Sequence, residues 1–343
     1  MDRIEFVTGL LVLLTCACGT EAREAPLLQR VELVEEHMGT SFRVVVFAAR
    51  EADGWQAASA ALDRVRALDE RLSDYAPESE LSRLSASAGS GASVPCSDDL
   101  WNVLLAGQAV AEATGGAFDV TAGPLVRQWR RGARQHELPD PEDLERAMAS
   151  VGWTLLRLEP EARTAQLLAP DMRLDLGGIA KGYALDEAVA VLEAAGIESA
   201  LVDGGGDIAL LGHPPGEPGW SLALQSPFED EPPLACLLAG GAVATSGPAY
   251  RGSDIDGVRY SHLIDPRTGE ALTRSATVSV RAPDAMTADA VASAISVLGA
   301  QEGLAWVETL PGVEACVWEG GKGDGEPCLS SGFPRTMIAP TAR

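Results

Sequence analysis

The segment from Leu174 to Val189, LDLGGIAKGYALDEAV, limits most sharply what this chain can fold into and bind. A short apolar run ends at Asp175, a Gly-Gly pair turns the chain, and a helix opens that carries Lys181 and Asp186. Strand, glycine turn and helix start together present backbone N–H groups and the positive end of a helix dipole, an arrangement that receives anions. Lys181 adds a mobile cation. The segment therefore predicts a site for a phosphorylated ligand. It is not a P-loop, which needs G-x-x-x-x-G-K-[ST]; here Lys181 precedes Gly182 and no hydroxyl follows.

A second cluster, Gly204-Gly205-Gly206 in ALVDGGGDIALLG, satisfies a relaxed G-x-G-x-x-A pattern. A dinucleotide fingerprint of that kind must open a helix. Ile208 to Leu211 is instead a short apolar run closed by Gly212, Pro214 and Pro215, so the segment reads as strand, tight turn, strand. Neither a Rossmann nor a P-loop fold is expected. The chain has 343 residues, 46% of them hydrophobic, enough for one large or two closely joined domains. Its formal charge of −24, from 26 basic and 50 acidic residues, argues against nucleic acid as a partner. In so acidic a chain an anionic ligand needs local help from Lys181, arginines or a metal ion.

Phe6 to Leu14 is an apolar run too short to span a bilayer, followed by Thr15-Cys16-Ala17-Cys18-Gly19. The pattern predicts export and a lipoprotein cleavage site, with Cys18 the lipidated residue and Cys16 the alternative. Residues 1–18 then form the signal segment, 19–36 a tether, 37–320 the folded domain and 321–343 a C-terminal tail. In an oxidising compartment Cys316 and Cys328, flanking the glycine-rich segment Gly320 to Gly325, could close a disulfide loop. No cysteine pair has C-x-x-C spacing, which argues against zinc.

The coarse pattern mixes strands and helices without regular βαβ alternation, an α+β class with mixed sheets and packed helices. Helices are expected over Gly54 to Leu72, Leu100 to Thr114, Pro141 to Val151 (capped by Asp140), Ala180 to Ala195, Ala288 to Leu298 and Glu302 to Leu310. Strands are expected over Phe42 to Phe47, around Leu155 and Leu174, and over Leu201 to Leu211 with its turn. Further strands are expected at Trp220 to Gln225, Ala242 to Ser246, Arg259 to Ile264, Thr277 to Arg281 and Ala315 to Trp318.

Two further constellations carry chemistry. Asp289 and Ser293 stand four apart in TADAVASAIS, on one helix face, and offer two hard oxygen ligands suited to Mg²⁺. Taken alone, Asp289 reads equally as a helix N-terminal charge and Ser293 as a small packing residue. His262, in YSHLIDPRTGE beside Asp265 and Arg267, can accept a proton near neutral pH. A lone histidine is more often structural than catalytic, so its neighbours decide.

Eight motifs in order, HMGTSF, LDERLSDYAPESELSRL, TGGAFDVTAGPLVRQW, LDLGGIAKGYALDEAV, ALVDGGGDIALLG, VATSGPAYRG, YSHLIDPRTGE and ADAVASAISVLGAQEGLAWVE, run from His37 to Trp318. In this series the chain resembles the FAD:protein FMN transferase (ApbE) family. The resemblance implies a T-fold-related α+β scaffold on the periplasmic face of the cell envelope, lipid-anchored to the inner membrane. It implies an enzyme that cleaves FAD with Mg²⁺, attaches FMN to a Thr or Ser hydroxyl of an acceptor protein, and releases AMP. The acceptor it implies is a flavoprotein subunit of a membrane redox complex. Carried over by position, Met38, Tyr75, Ala117, Phe118, Asp119, Gly177, Tyr183 and Leu263 match residues that hold FAD. Ala180, through its carbonyl, matches a metal ligand together with Asp289 and Ser293, where the family usually has threonine. His262 matches the proposed base, and Lys181 assists. Ser261 replaces a frequent histidine, and Asp203 stands where many members carry asparagine; both bear on acceptor choice or rate. Two other readings remain: an FAD pyrophosphatase yielding FMN and AMP, and a non-catalytic FAD-binding lipoprotein. Retention of a base argues against the latter.

Overall fold

The structure is a computed structural model that describes residues 28–224, 234–247, 252–274, 276–320 and 326–333. The signal segment, with Cys16 and Cys18, lies outside the described residues. In chain order the elements are β1 (Gln29–His37), β2 (Thr40–Ala48), α1 (Glu51–Leu72), α2 (Glu80–Ala86), β3 (Val94–Pro95), α3 (Asp98–Ala113), α4 (Gly123–Gln135) and α5 (Pro141–Met148). There follow β4 (Leu156–Glu159), β5 (Thr164–Leu167), α6 (Ala180–Ala194), β6 (Ala200–Gly204), β7 (Asp207–Leu211), β8 (Trp220–Leu224), β9 (Leu234–Leu238) and β10 (Gly241–Ser246). The rest are β11 (Gly252–Ile255), β12 (Val258–Ser261), β13 (Ala276–Ala282), α7 (Ala285–Leu298), α8 (Ala300–Val307), β14 (Glu314–Glu319) and β15 (Cys328–Leu329).

Eight strands form one antiparallel sheet in the order β1-β2-β6-β7-β10-β13-β14-β15. Side chains alternate across a strand, so each strand writes two faces. Phe42, Val44 and Val46 of β2, Val202 of β6, Val278 and Val280 of β13 and Val317 of β14 face one core, which α1, α6 and α7 cover. The intervening Val45, Leu201, Leu210, Val243, Cys316 and Trp318 face a second core, closed by Trp220, Leu222, Cys236 and Leu238 of the β8–β9 hairpin. A sheet covered on both faces explains why these strands read as apolar runs and not as alternating ones. The class is α+β; an isolated parallel bridge, Ala122 to Arg173, stands beside the antiparallel pairings.

The helices follow from spacing. Ala57, Ala58, Ala61, Leu62, Val65, Leu68 and Leu72 fall on one face of α1 and are all buried. Asp140 caps α5 by accepting from the N–H groups of Glu142 (2.8 Å) and Asp143 (3.4 Å), with Pro141 in the first helical position.

Four expectations are corrected. Residues 29–36 are not tether: β1 pairs with β2 along its whole length and buries Val31. The tail assignment likewise begins too early, because Cys328–Leu329 adds the last strand of the sheet. Leu174 is fully buried but lies in no strand; its segment meets the 120–122 stretch through the Arg173 bridge and the Asp175 N–H to Val120 carbonyl bond (2.8 Å). Finally, Cys316 and Cys328 are free thiols. Cys316 pairs with Leu329 and Val317 with Cys328, so the two thiols leave opposite faces of the sheet and cannot meet.

Candidate active site

The Gly204-Gly205-Gly206 cluster is the turn of the β6–β7 hairpin, as its strand–turn–strand pattern requires. Gly205 and Gly206 both have positive φ (67° and 99°), the geometry of a tight hairpin loop. A Cβ on Gly205 would lie 2.3 Å from Thr40 Oγ1, so the position has no room for a side chain. The turn is fastened by Asp203, whose carboxylate accepts from Gly206 N–H (2.9 Å) and Arg43 (3.0 Å).

Facing it is the start of α6. Asp175 Oδ1 accepts from Gly177 N–H at 2.8 Å and shapes the turn into the helix, which opens at Ala180 with no side-chain cap. With no side-chain cap, the helix start keeps its positive dipole end, while the Ala180 N–H is bonded to the Leu176 carbonyl (2.8 Å). α7 crosses closely: Gly182 N–H donates to Asp289 Oδ2 (3.1 Å), and Asp186 accepts from the N–H groups of Ala285 (2.7 Å) and Met286 (2.8 Å). Burial, with Asp284 and Glu187 nearby, pushes the Asp186 carboxyl up to about 6 against those two bonds. A Cβ on Gly182 would lie 2.2 Å from the Ala285 carbonyl oxygen, which is backbone and cannot swing away. Gly182→Ala is therefore expected to lower stability by about 1–3 kcal/mol and to displace Asp289. A fall in the thermal midpoint accompanied by weaker ligand binding checks this; unchanged values would mean that α7 has room to shift.

Between these turns lies a cavity of about 870 Å³. Tyr75, Ala117, Phe118, Asp119, Gly177, Lys181, His262, Leu263, Asp289 and Ser293 all line it, bringing together ten of the thirteen positions expected in the ligand, metal or catalytic set. The other three lie outside its lining. Met38 sits in the β1–β2 turn with φ 51°, its N–H bonded to Asp69 (2.7 Å). Ala180 is buried at the first position of α6. Tyr183 turns its hydroxyl onto Asp99 (2.9 Å), a buried carboxylate also paired with Arg64 and Arg71. Tyr183 occupies a motif position matched to FAD binding, yet it is absent from the cavity lining and its hydroxyl faces Asp99.

The electrostatics add residues that sequence reasoning passed over. Lys181 is ion-paired with Asp207, and its Nζ lies 4.0 Å from Asp289 Oδ1. Asp207 is buried beside the triple-glycine turn and also accepts from Thr245 N–H (2.9 Å). Arg130 of α4 links Asp74 and Asp175 (2.9 Å to the latter) and lies 4.6 Å from the centre of the Tyr75 ring. Burial raises the Asp175 carboxyl, opposed by the Arg130 charge. Trp129 packs against Tyr260 (5.3 Å between centroids) and donates to the Gly269 carbonyl (2.8 Å). Asp119 is buried, which raises its carboxyl, while the Thr121 N–H and hydroxyl both donate to Oδ1 at 2.7 Å. His262 is exposed at the cavity wall, in the loop after β12.

The ApbE family pattern matches residues 38–317. This chain belongs to the ApbE family. Relatives include the FAD:protein FMN transferase of Treponema pallidum (strain Nichols), 36% identical over 330 residues that cover 90% of this chain and 89% of that one. The FAD:protein FMN transferase of Vibrio cholerae serotype O1 is 32% identical over 82% of this chain and 85% of its own length. Among solved structures, the flavin transferase ApbE from Vibrio cholerae superposes with a TM-score of 0.80 at 30% identity, covering 89% of this chain and 98% of that one. The ApbE protein of Thermotoga maritima gives 0.77 at 30% identity, covering 85% and 94%. The ApbE pattern spans the whole cavity, from Met38 before its first wall residue to β14 beyond α7.

Among the described residues no three His, Cys, Asp or Glu side chains gather into a metal cage. Mg²⁺ does not need one, because it keeps several waters and takes one or two carboxylates with substrate phosphates. Asp289 and Ser293 supply a carboxylate and a hydroxyl on one helix face within the cavity. The space before Ser293 is narrow: a Cβ on Gly178 would lie 2.9 Å from its Oγ. These donors fit the ion.

Proposed function

We propose that this chain is an Mg²⁺-dependent FAD:protein FMN transferase. It cleaves FAD and attaches FMN through a phosphoester bond to a Thr or Ser hydroxyl of an acceptor protein. The observation that carries this reading is the convergence of Lys181, Asp289, Ser293 and His262, with two glycine turns, on one cavity in an ApbE-family chain. Asp289, Ser293 and the Ala180 carbonyl would hold the metal, which when bound offsets the negative charge of the diphosphate. The backbone at Gly178 and the positive dipole end of α6 orient that diphosphate. Lys181 exchanges part of its pairing with Asp207 for the incoming phosphate oxygens. The acceptor hydroxyl gives its proton to a ring nitrogen of His262 as its oxygen bonds to the FMN-side phosphorus. The bond from that phosphorus to the bridging oxygen breaks, and AMP leaves.

The same reading places the enzyme at the periplasmic face of the inner membrane, anchored through lipid on Cys18. The apolar N-terminal run supports it. Among the described residues no helix is long and apolar enough to cross a membrane. Metal removal tests the proposal: exhaustive chelation is expected to stop FAD cleavage, and Mg²⁺ to restore it. Full turnover by chelated protein would remove the metal from the mechanism.

A further inference from the structure

A second cleft, of about 440 Å³, lies on the opposite face of α4 from the FAD cavity. Val126, Trp129, Arg130 and Ala133 point into the first cavity, while Pro124, Arg127 and Gln128 point into the second, so the helix divides the two. Three arginines reach this cleft from three separate segments: Arg127 from α4, Arg146 from α5, and Arg173 from the stretch bridged to Ala122. In a chain with 50 acidic and 26 basic residues, such a gathering runs against the average charge.

The partners of these arginines leave positive charge over. Arg146 is paired with Asp143, and Arg173 donates to the Asp74 carbonyl at 3.3 Å, a bond that leaves its charge unneutralised. Arg127 is exposed and makes no ion pair among the described residues. One carboxylate, Asp171, lines the same cleft. Ser82, Ser85 and Ser150 supply hydroxyls from the α2 side and the end of α5. The Ser85 hydroxyl accepts from Leu174 N–H (3.1 Å), which leaves its own proton available, whereas Ser150 spends its proton on the Pro170 carbonyl (2.9 Å). The Ser82 hydroxyl is buried without a hydrogen-bond partner, although the residue lines the cleft.

We infer that this cleft binds a phosphate group, either free or as a small monoester, separately from the FAD site. Guanidinium groups arriving from three directions, with hydroxyl donors behind them, offer more N–H and O–H groups than the two coplanar oxygens of a carboxylate can use. A tetrahedral oxyanion uses them.

The test titrates full-length protein with inorganic phosphate, and separately with glycerol 3-phosphate, at constant ionic strength. The thermal midpoint is followed in wild type, Arg127→Ala and Lys181→Ala. Arg127 does not line the FAD cavity and makes no ion pair among the described residues, so its replacement should leave the fold and FAD cleavage unchanged. The expected result is a saturable rise in midpoint that survives Lys181→Ala and whose apparent affinity falls about 10- to 100-fold in Arg127→Ala. Tighter binding of the ester assigns the site to a monoester, and equal binding assigns it to free phosphate. A response identical in wild type and Arg127→Ala, or abolished by Lys181→Ala alone, overturns the inference, because the anion would then be occupying the FAD cavity. Failure here leaves the transferase reading untouched, since FAD turnover is measured independently.

Discussion

Asp289→Asn is expected to reduce FAD turnover by on the order of 10²–10³-fold or more while leaving the thermal midpoint close to that of wild type. The carboxylate does two things that these variants separate. Oδ2 accepts from Gly182 N–H and ties α7 to the start of α6, and Oδ1 faces Lys181 across 4.0 Å inside the cavity. Asparagine can keep the Gly182 bond through its carbonyl oxygen but removes the charge that a cation and its phosphates need. Asp289→Ala loses both functions. It orphans a buried N–H, so it should also cost about 1–3 kcal/mol of stability. Turnover of Asp289→Asn within a few fold of wild type would reduce Asp289 to a structural clasp between two helices.

His262→Ala is expected to bind FAD nearly as tightly as wild type and to transfer FMN about 10²–10⁴-fold more slowly. His262 is exposed and lines the cavity, where a hydroxyl from another protein can approach it. Wild-type rate should fall toward acid, because a protonated imidazole accepts nothing, and this limb should vanish in the variant. Asp265 is the neighbouring alternative acceptor, but its carboxylate is committed. Oδ1 receives the N–H and Nε of Arg267 (both 2.9 Å) and Oδ2 receives its terminal nitrogen (2.8 Å). Unchanged turnover with weakened FAD binding in His262→Ala would make the histidine a ligand-positioning residue.

What the sequence made legible was local. The β6–β7 turn follows from glycines closed by a short apolar run, and the Asp140 cap and Pro141 announce α5 within four residues. The Asp289–Ser293 pair needs only helical spacing. What stayed hidden depends on partners far along the chain. QRVELVEEH reads as a charged tether until β2 is placed beside it; as an edge strand it buries Val31 and leaves Val34 half exposed, which weakens any periodic signal. α4 begins at Gly123-Pro124, a pair that looks like a turn, although proline in a first helical turn and the arginine spacing of PLVRQWRRGAR were available as signals. The Lys181–Asp207 pair joins the start of α6 to the far side of a hairpin, and the Arg130 bridge joins α4 to two separate loops. No local window contains either. Tyr183 shows the converse: a motif position names a residue but does not say where the helix points it.

Whether FMN moves to a protein hydroxyl or to water is measured directly by the intact mass of an acceptor. Wild type is incubated with FAD, Mg²⁺ and an unmodified acceptor domain bearing the Thr or Ser flavinylation site of a membrane redox-complex flavoprotein. The expected result is an acceptor heavier by one FMN phosphoryl group, one AMP released for each, and no mass change when that Thr or Ser is alanine. FMN and AMP appearing at the same rate with or without the acceptor, while its mass stays unchanged, would contradict it and make the enzyme a pyrophosphatase.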